Sequence, residues 1–389
     1  MRIIYILNAT DMYGGATKAV MNLLEGEVAK SIQPLFILPS DTGIAHTLRQ
    51  KGMPYKVLTY RMSVYPPLRC AKDILLFIPR LVGRIFVNWT AAKQLYSIAK
   101  EFKADIIHTN TSVNNIGYVV SRRLNIPHVW HIREYADLDF NLHYIPSKAC
   151  FLKKLKEDQS YTICITKDIQ TYNNLHNWPS SRVIYDGVLS KNQSALIVPK
   201  QPYFLFAGRL EQGKGIEDLL EAYAIYVKQT DHPVPLWIAG DTQDADYKKK
   251  LELMASSIDG TPSITFLGMR EDILSLMQHT MALIVPSKAE GFGFITAEGM
   301  FSGALVIGRN TRGTKEQFDN GLTISGQEIG LRYNTQNELI AHLLQVTKDG
   351  IEPFIPMIKR GLTTVQRLYS IESHQQTVFD WYKYIINKK

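Results

Sequence analysis

The chain is 389 residues long, roughly two or three times a typical domain, and strand and helix patterns alternate through both halves, which excludes a single small module. It carries 44 Lys and Arg against 36 Asp and Glu, with a pI near 9.1; a basic excess admits nucleic acid as a partner, but no recognition motif accompanies it and none is expected. Three widely separated cysteines, Cys70, Cys150 and Cys164, show no metal-ligand spacing and fit a reducing interior.

In chain order, the first predicted element is a strand over residues 2–8 (RIIYILN). It begins the chain directly, without a cleavable signal pattern, so a cytoplasmic protein is expected. Met12-Tyr13-Gly14-Gly15-Ala16 follows, then a helix from about Thr17. Such a glycine turn lets backbone N–H groups of Gly14 and Gly15 approach phosphate or sugar oxygens, and the helix amino end favours negative charge. The turn lacks the Gly-x-Gly-x-x-Gly spacing, and no acidic residue is placed to receive a nicotinamide cofactor's ribose, so a dehydrogenase is not expected.

Residues 68–93 place Arg69, Lys72, Arg80, Arg84 and Lys93 among Ile74, Leu75, Phe77, Ile78, Leu81, Val82, Ile85, Phe86 and Trp89. This reads as a basic amphipathic element bearing aromatics. Two accounts fit it: a surface lying at a bilayer interface and drawing anionic head groups, or a helix buried on one face. Its charges interrupt every apolar run well short of the roughly 18 residues a spanning helix needs, so contact would be peripheral, at the inner face of the plasma membrane.

Two short strands, ending near His108 and His131, follow, and ligands gather at strand carboxyl ends in doubly wound sheets. His131 is the better ligand candidate, and His108 reads as a core or cleft-lining residue. Arg133 and Glu134 suit acceptor binding or a mutual ion pair, and the sequence leaves both open. Asp137-Leu-Asp139 and, later, Asp244-Ala-Asp246 have the look of metal-holding carboxylate pairs. Neither is well placed, since acidic residues at the start of a helix simply suit its dipole, and no metal is expected.

Polar residues and two prolines over 190–202 break the periodic pattern and suggest a boundary: domains 1–195 and 196–369, with a terminal helix over 370–389. Charge divides there too. Residues 1–200 hold 25 Lys and Arg against 14 Asp and Glu, while the remainder holds 19 against 22.

In the second half, the buried-strand pattern Tyr203–Ala207 runs into Gly208-Arg209-Leu-Glu-Gln-Gly213-Lys214-Gly215 and then a helix. Two cations thus flank a flexible turn, suited to charge growing on a diphosphate leaving group. A second buried strand, Met281–Pro286, leads to Glu290-Gly291-Phe292-Gly293-Phe294-Ile-Thr-Ala-Glu298. Gly291 and Gly293 permit a tight turn with bare N–H groups, a helix starting near Phe294 leaves donors unpaired, and Glu290 and Glu298 bracket that entry. Carboxylates so placed accept hydrogen bonds from vicinal hydroxyls.

Taken with Ile264-Thr-Phe-Leu-Gly268, Pro286-Ser287 and Gly303–Ile307, these segments resemble the family 4 retaining glycosyltransferases over most of residues 203–316. The resemblance implies two Rossmann-like α/β domains facing a central cleft, the glycosyltransferase B architecture, with the terminal helix crossing back to the first domain. It implies that Arg209 and Lys214 bind the donor diphosphate, Glu290 the donor sugar and Glu298 the ribose. It further gives His131 a place against the sugar, Gly14 and Gly15 a place against the diphosphate, and the loop Gly268-Met269-Arg270 a place near the base. The implied activity is transfer of a sugar from a UDP- or GDP-sugar, with retention, to a saccharide or lipid-linked acceptor in surface polysaccharide or glycolipid synthesis. No cofactor or protein base enters; the departing phosphate takes the acceptor's proton. The alternatives are a soluble-acceptor synthase or phosphorylase, or an idle nucleotide-sugar-binding partner.

Overall fold

The computed structural model describes residues 1–8, 10, 15–24, 28–68, 70–194, 197–258 and 264–388. It divides into two compact units, Met1–Gly187 with Ser373–Lys389, and Val188–Glu372.

The first unit is built on seven parallel strands: β1 (Arg2–Ile6), β2 (Gln33–Leu38), β3 (Tyr55–Val57), β5 (Ile106–Thr109), β6 (His128–Ile132), β8 (Ser160–Cys164) and β9 (Ser181–Val183). Their order is β3-β2-β1-β5-β6-β8-β9, while β4 (Val64–Tyr65) and β7 (His143–Tyr144) form a small antiparallel pair apart from it. Strands covered on both faces are apolar nearly throughout, as in β1, where Ile3, Ile4, Tyr5 and Ile6 are all buried. The terminal helix Ile371–Asn387 belongs to this unit from Ser373 onward, and its Val378, Trp381, Tyr382 and Ile385 join Ile3, Tyr5 and Phe36 in one core.

The second unit carries six parallel strands: β10 (Gln201–Ala207), β11 (Leu236–Ala239), β12 (Ile264–Gly268), β13 (Thr280–Val285), β14 (Val306–Arg309) and β15 (Leu331–Tyr333), in the order β12-β11-β10-β13-β14-β15. Its core packs Phe204, Phe206, Leu219, Tyr223, Ile238, Ile284 and Leu343. The second unit begins at Val188, earlier than the expected boundary, because the backbone there is already held: Val188 N–H donates to Tyr369 O at 2.8 Å and Ile371 N–H to Leu189 O at 3.0 Å.

In each sheet the order in which successive strands are added reverses once, between β1 and β5 and between β10 and β13, while all strands stay parallel. Loops leaving two such strands diverge to opposite faces, which opens a crevice at the carboxyl ends.

Candidate functional site

In the second unit β10 and β13 run side by side with Phe206 opposite Ile284, so the chain leaves both strands at one level, into Gly208 and Pro286. Three glycines keep this edge bare. Gly208, Gly240 and Gly268 end β10, β11 and β12 at positive φ, and a Cβ on Gly240 would stand 1.8 Å from Gly208 O. Gly215 is similarly forced: its φ is +69° and a Cβ would meet Pro286 O at 2.1 Å, so only glycine lets the Lys214 turn press against the β13 loop. Lys288 N–H closes the junction on Gly213 O at 2.9 Å.

That junction brings two of the predicted residues together. Lys214 Nζ lies 2.6 Å from Glu290 Oε1, and Ser287 Oγ donates to the same oxygen at 2.7 Å. Both charged side chains are mostly buried, at 24% and 13% exposure, so this contact is far less screened than a surface pair. Glu290 is fixed further through its backbone, whose carbonyl accepts from Gly313 N–H at 3.0 Å.

Gly293, at φ +85°, is the N-cap of the helix Phe294–Phe301, and Gln317 Nε2 donates to the carbonyls of Phe292 and Gly293 at 2.7 and 3.0 Å, holding the entry loop. The helix lies tight on the sheet because a Cβ on Gly299 would meet Leu283 at 2.4 Å. Glu298 sits in its second turn, half-buried. Arg209 is largely exposed and pairs with its neighbour Glu211 at 2.9 Å rather than with Glu290. Met269 is exposed, and Arg270 is bonded through two nitrogens to Asp272 at 2.8 and 2.7 Å, with no hydrogen bond or ion pair from either to Lys214 or Glu290 among the described residues. Ser287, noted in the sequence only as part of the Pro286-Ser287 segment, belongs to the site's support with Gly313 and Gln317; the latter two carry no sequence pattern of their own, and their only signal is proximity to the glycine loop once β13 and the following helix are in place.

In the first unit, Gly15 opens the helix Gly15–Leu23, slightly earlier than expected, while Gly14 lies outside the described residues. His131 lies near the end of β6, fully buried, with Nδ1 3.2 Å from both His108 Nε2 and Arg133 Nη2. Arg133 and Glu134 do not pair with each other. Arg133 binds Asp186 at 2.6 and 2.5 Å and Asn110 at 2.8 Å, and Glu134 accepts from Thr111 Oγ1, Ser112 N–H and Ser112 Oγ at 2.6 to 2.8 Å. Asp137 accepts from Lys148 at 2.9 Å and from Tyr172 at 2.8 Å, and Asp244 caps its helix through Tyr247 N–H at 3.0 Å.

Residues 190–352 match the family model described as glycosyl transferases group 1. The chain is 27% identical over 279 residues to the uncharacterized glycosyltransferase MJ1178 of Methanocaldococcus jannaschii, covering 69% of this chain and 74% of that one. It is 28% identical over 280 residues to the alpha-monoglucosyldiacylglycerol synthase of Streptococcus pneumoniae, covering 64% and 60%. Over residues 190–352 the second unit is similar to the group 1 glycosyltransferases. The fold agrees: the structure of Anabaena Alr3699/HepE in complex with UDP matches 99% of this chain and 100% of that one, at 19% identity and a TM-score of 0.79. The chain therefore has the two-sheet glycosyltransferase B fold, and the reversal point between β10 and β13 falls inside the family match.

Proposed function

We propose that the second unit of this protein binds a nucleotide diphosphate sugar, and that the enzyme transfers the sugar with retention of anomeric configuration and without a metal ion. The observation that carries the reading is the 2.6 Å contact of Lys214 with Glu290 at the sheet's reversal point. An ammonium and a carboxylate held side by side suit two adjacent parts of one ligand: diphosphate for Lys214, sugar hydroxyls for Glu290. As the bond from the anomeric carbon to the phosphate oxygen breaks, charge grows on the diphosphate, and Lys214 with Arg209 stabilises it. The acceptor hydroxyl bonds to the same face of the sugar and yields its proton to the departing phosphate oxygen, so no protein base is consumed. Glu298 holds the ribose hydroxyls, the amides of residues 291–294 support the sugar and phosphate, and Gly268, Met269 and Arg270 lie toward the base.

For the donor, UDP-sugars lead and GDP-sugars follow, because HepE was crystallised with UDP and with UDP-glucose. For the acceptor, a lipid-linked saccharide or glycolipid precursor leads. The Streptococcus relative is named for a glucosylated diacylglycerol, and the helix Phe77–Phe102 exposes Ile78, Val82, Ile85, Phe86 and Trp89 beside basic side chains. No helix among the described residues is long and apolar enough to cross a membrane, so the contact proposed is peripheral.

Incubation with a panel of nucleotide sugars and both lipid-linked and water-soluble acceptors, in excess chelator, tests the reading by product analysis. The expected result is a sugar-bearing lipid product with unchanged anomeric configuration. Absence of both transfer and slow donor hydrolysis would leave only a nucleotide-sugar-binding protein.

A further inference from the structure

Two hollows in the first unit adjoin along the seam between the helix Phe77–Phe102 and the helix Ile116–Leu124, and neither takes part in the reaction above. The first, about 230 Å³ in volume, is walled by Leu81, Ile85, Trp89 and Ala92 of the longer helix and by Ile116 and Val119 of the shorter one. Residues spaced three and four apart share one helix face, so these side chains line a continuous apolar trough between the two axes. A dry cavity of about 150 Å³ holds benzene, and in proportion this trough takes a hydrocarbon segment of roughly nine carbons.

Charge gathers at one end of it. Arg123, one turn beyond Val119, lines both hollows, and the second hollow continues from it to Lys93, Tyr96 and Ser97. Arg84 stands in the wall of the trough, braced by donating to Met62 O and Val64 O, both at 2.8 Å, while Lys93 Nζ lies 3.4 Å over the Trp89 ring. Neither contact cancels a charge. No acid lines either hollow, and none pairs with Arg84, Lys93 or Arg123 among the described residues. An apolar trough ending in unneutralised guanidinium and ammonium groups is complementary to a hydrocarbon tail joined to an anion.

The direction of the trough says which amphiphile. The helix Ile116–Leu124 follows β5, so its amino end lies at the carboxyl edge of the sheet, and Arg123, in its last turn, lies toward the opposite edge. A phosphate held by Arg123 is therefore turned away from the edge at which ligands of such sheets gather, which separates this lipid from the acceptor.

We propose that this seam binds one anionic phospholipid of the bilayer, with an acyl chain in the trough and the phosphate between Arg123 and Lys93, as a structural lipid distinct from the acceptor. The site is read by binding alone and stands or falls independently of sugar transfer.

The test is titration calorimetry of the full chain with short-chain phosphatidylglycerol kept below its micelle concentration. One saturable site per chain is expected, about tenfold weaker binding of phosphatidylcholine with the same chains, and no measurable binding of glycerol phosphate, which lacks the tail. Arg123→Glu and Ile85→Gln, both at exposed positions that the core does not use, should each weaken phosphatidylglycerol about tenfold or more. Lys100→Glu makes the same charge change on the longer helix outside both hollows and should leave affinity within about twofold. Phe86→Gln, on the exposed face but in neither wall, should weaken sedimentation with anionic vesicles while sparing the dissolved lipid. Binding that does not saturate at one lipid, equal affinity for phosphatidylcholine or glycerol phosphate, or equal losses in Lys100→Glu and Arg123→Glu would overturn the site and leave only adsorption of a basic surface.

Discussion

Glu290 and Glu298 share a glycine-rich entry but differ in what holds them, and the difference predicts separable effects. Glu290 is bound by Lys214 and Ser287 at 2.6 and 2.7 Å, so its carboxylate is already aimed before a donor arrives. Glu290→Ala is expected to lower kcat by about a hundredfold while leaving nucleotide affinity within a few-fold, since a preorganised group acts mainly in the transition state. Glu298→Ala should instead weaken nucleotide binding roughly tenfold or more, the loss of charge-assisted hydrogen bonds to ribose hydroxyls. Titration calorimetry with UDP beside steady-state kinetics checks the pair, and the opposite pattern would exchange the two roles. Gly215 makes a third test at this scale. A methyl there stands 2.1 Å from Pro286 O on a backbone at φ +69°, so Gly215→Ala should cost at least about 2 kcal/mol or push the Lys214 turn off the β13 loop. Denaturant unfolding reads the first outcome and a loss of transfer rate the second.

Among the elements, the helix Phe77–Phe102 changes character along its length. Ala91, Ala92, Leu95 and Ala99 are buried in its second half, whereas no residue before Ala91 is, and Ile78, Val82, Ile85, Phe86 and Trp89 stand 46% to 62% exposed. Arg84 donates to two backbone carbonyls, of Met62 and Val64, and Lys93 sits 3.4 Å over the Trp89 ring, while Asp73, in the short helix just before, is taken by Arg80 and Glu101 lies at the far end of the helix. An apolar face with unneutralised cations matches an anionic bilayer and not a second copy of itself, whose cations would repel. Phe86→Glu with Trp89→Glu should abolish sedimentation with anionic vesicles and shift folding stability by no more than about 0.5 kcal/mol, because neither side chain is in the core. Retained vesicle binding would remove this face from the proposal. The sequence left this element's surroundings open for a physical reason: the same 3.6-residue apolar spacing serves a core helix and an interfacial one, and only its neighbours decide. Strands β10 and β13 were legible because an uninterrupted apolar run that stops at a glycine or a proline has few other uses, and Lys214, Glu290 and Glu298 were legible as candidates because each adjoins a glycine. The hydrogen bonds of Ser287 and Gln317 were not, since a lone hydroxyl or amide acquires a partner only when the fold is in place. The ion pairing of Arg133 with Asp186 was hidden likewise, by a separation of 53 positions along the chain.

Over the whole molecule, the buried histidines and the Lys214–Glu290 contact fall in different units, so acid and nucleotide should act on different parts. His108, His128, His131 and His374 all lie in the first unit and are fully buried. Burial lowers the titration of each: His128 to about 3, His108 and His131 well below the usual range with Arg133 adding to the effect, and His374 in the same direction. As pH falls through about 6.5 the unfolded chain takes up protons that the folded unit refuses, so stability is lost with acidification, by up to about 1.4 kcal/mol per imidazole per pH unit. In the second unit, His232, His279 and His342 are not buried, and its ion-paired acids Asp218 and Asp319, whose titration is lowered, give up their contribution only below about pH 4. Hydrogen exchange on the intact chain between pH 7 and 5, corrected for the intrinsic rate, should therefore show β1, β5 and β6 losing protection while β10 and β13 hold theirs. UDP at a hundred times its dissociation constant should do the reverse, adding about 2.7 kcal/mol of protection to β10, β13 and the helix after Gly293. Equal acid loss in both sheets would mean that the four imidazoles do not govern the first unit's stability, and nucleotide protection confined to the first unit would move the donor site away from Lys214 and Glu290.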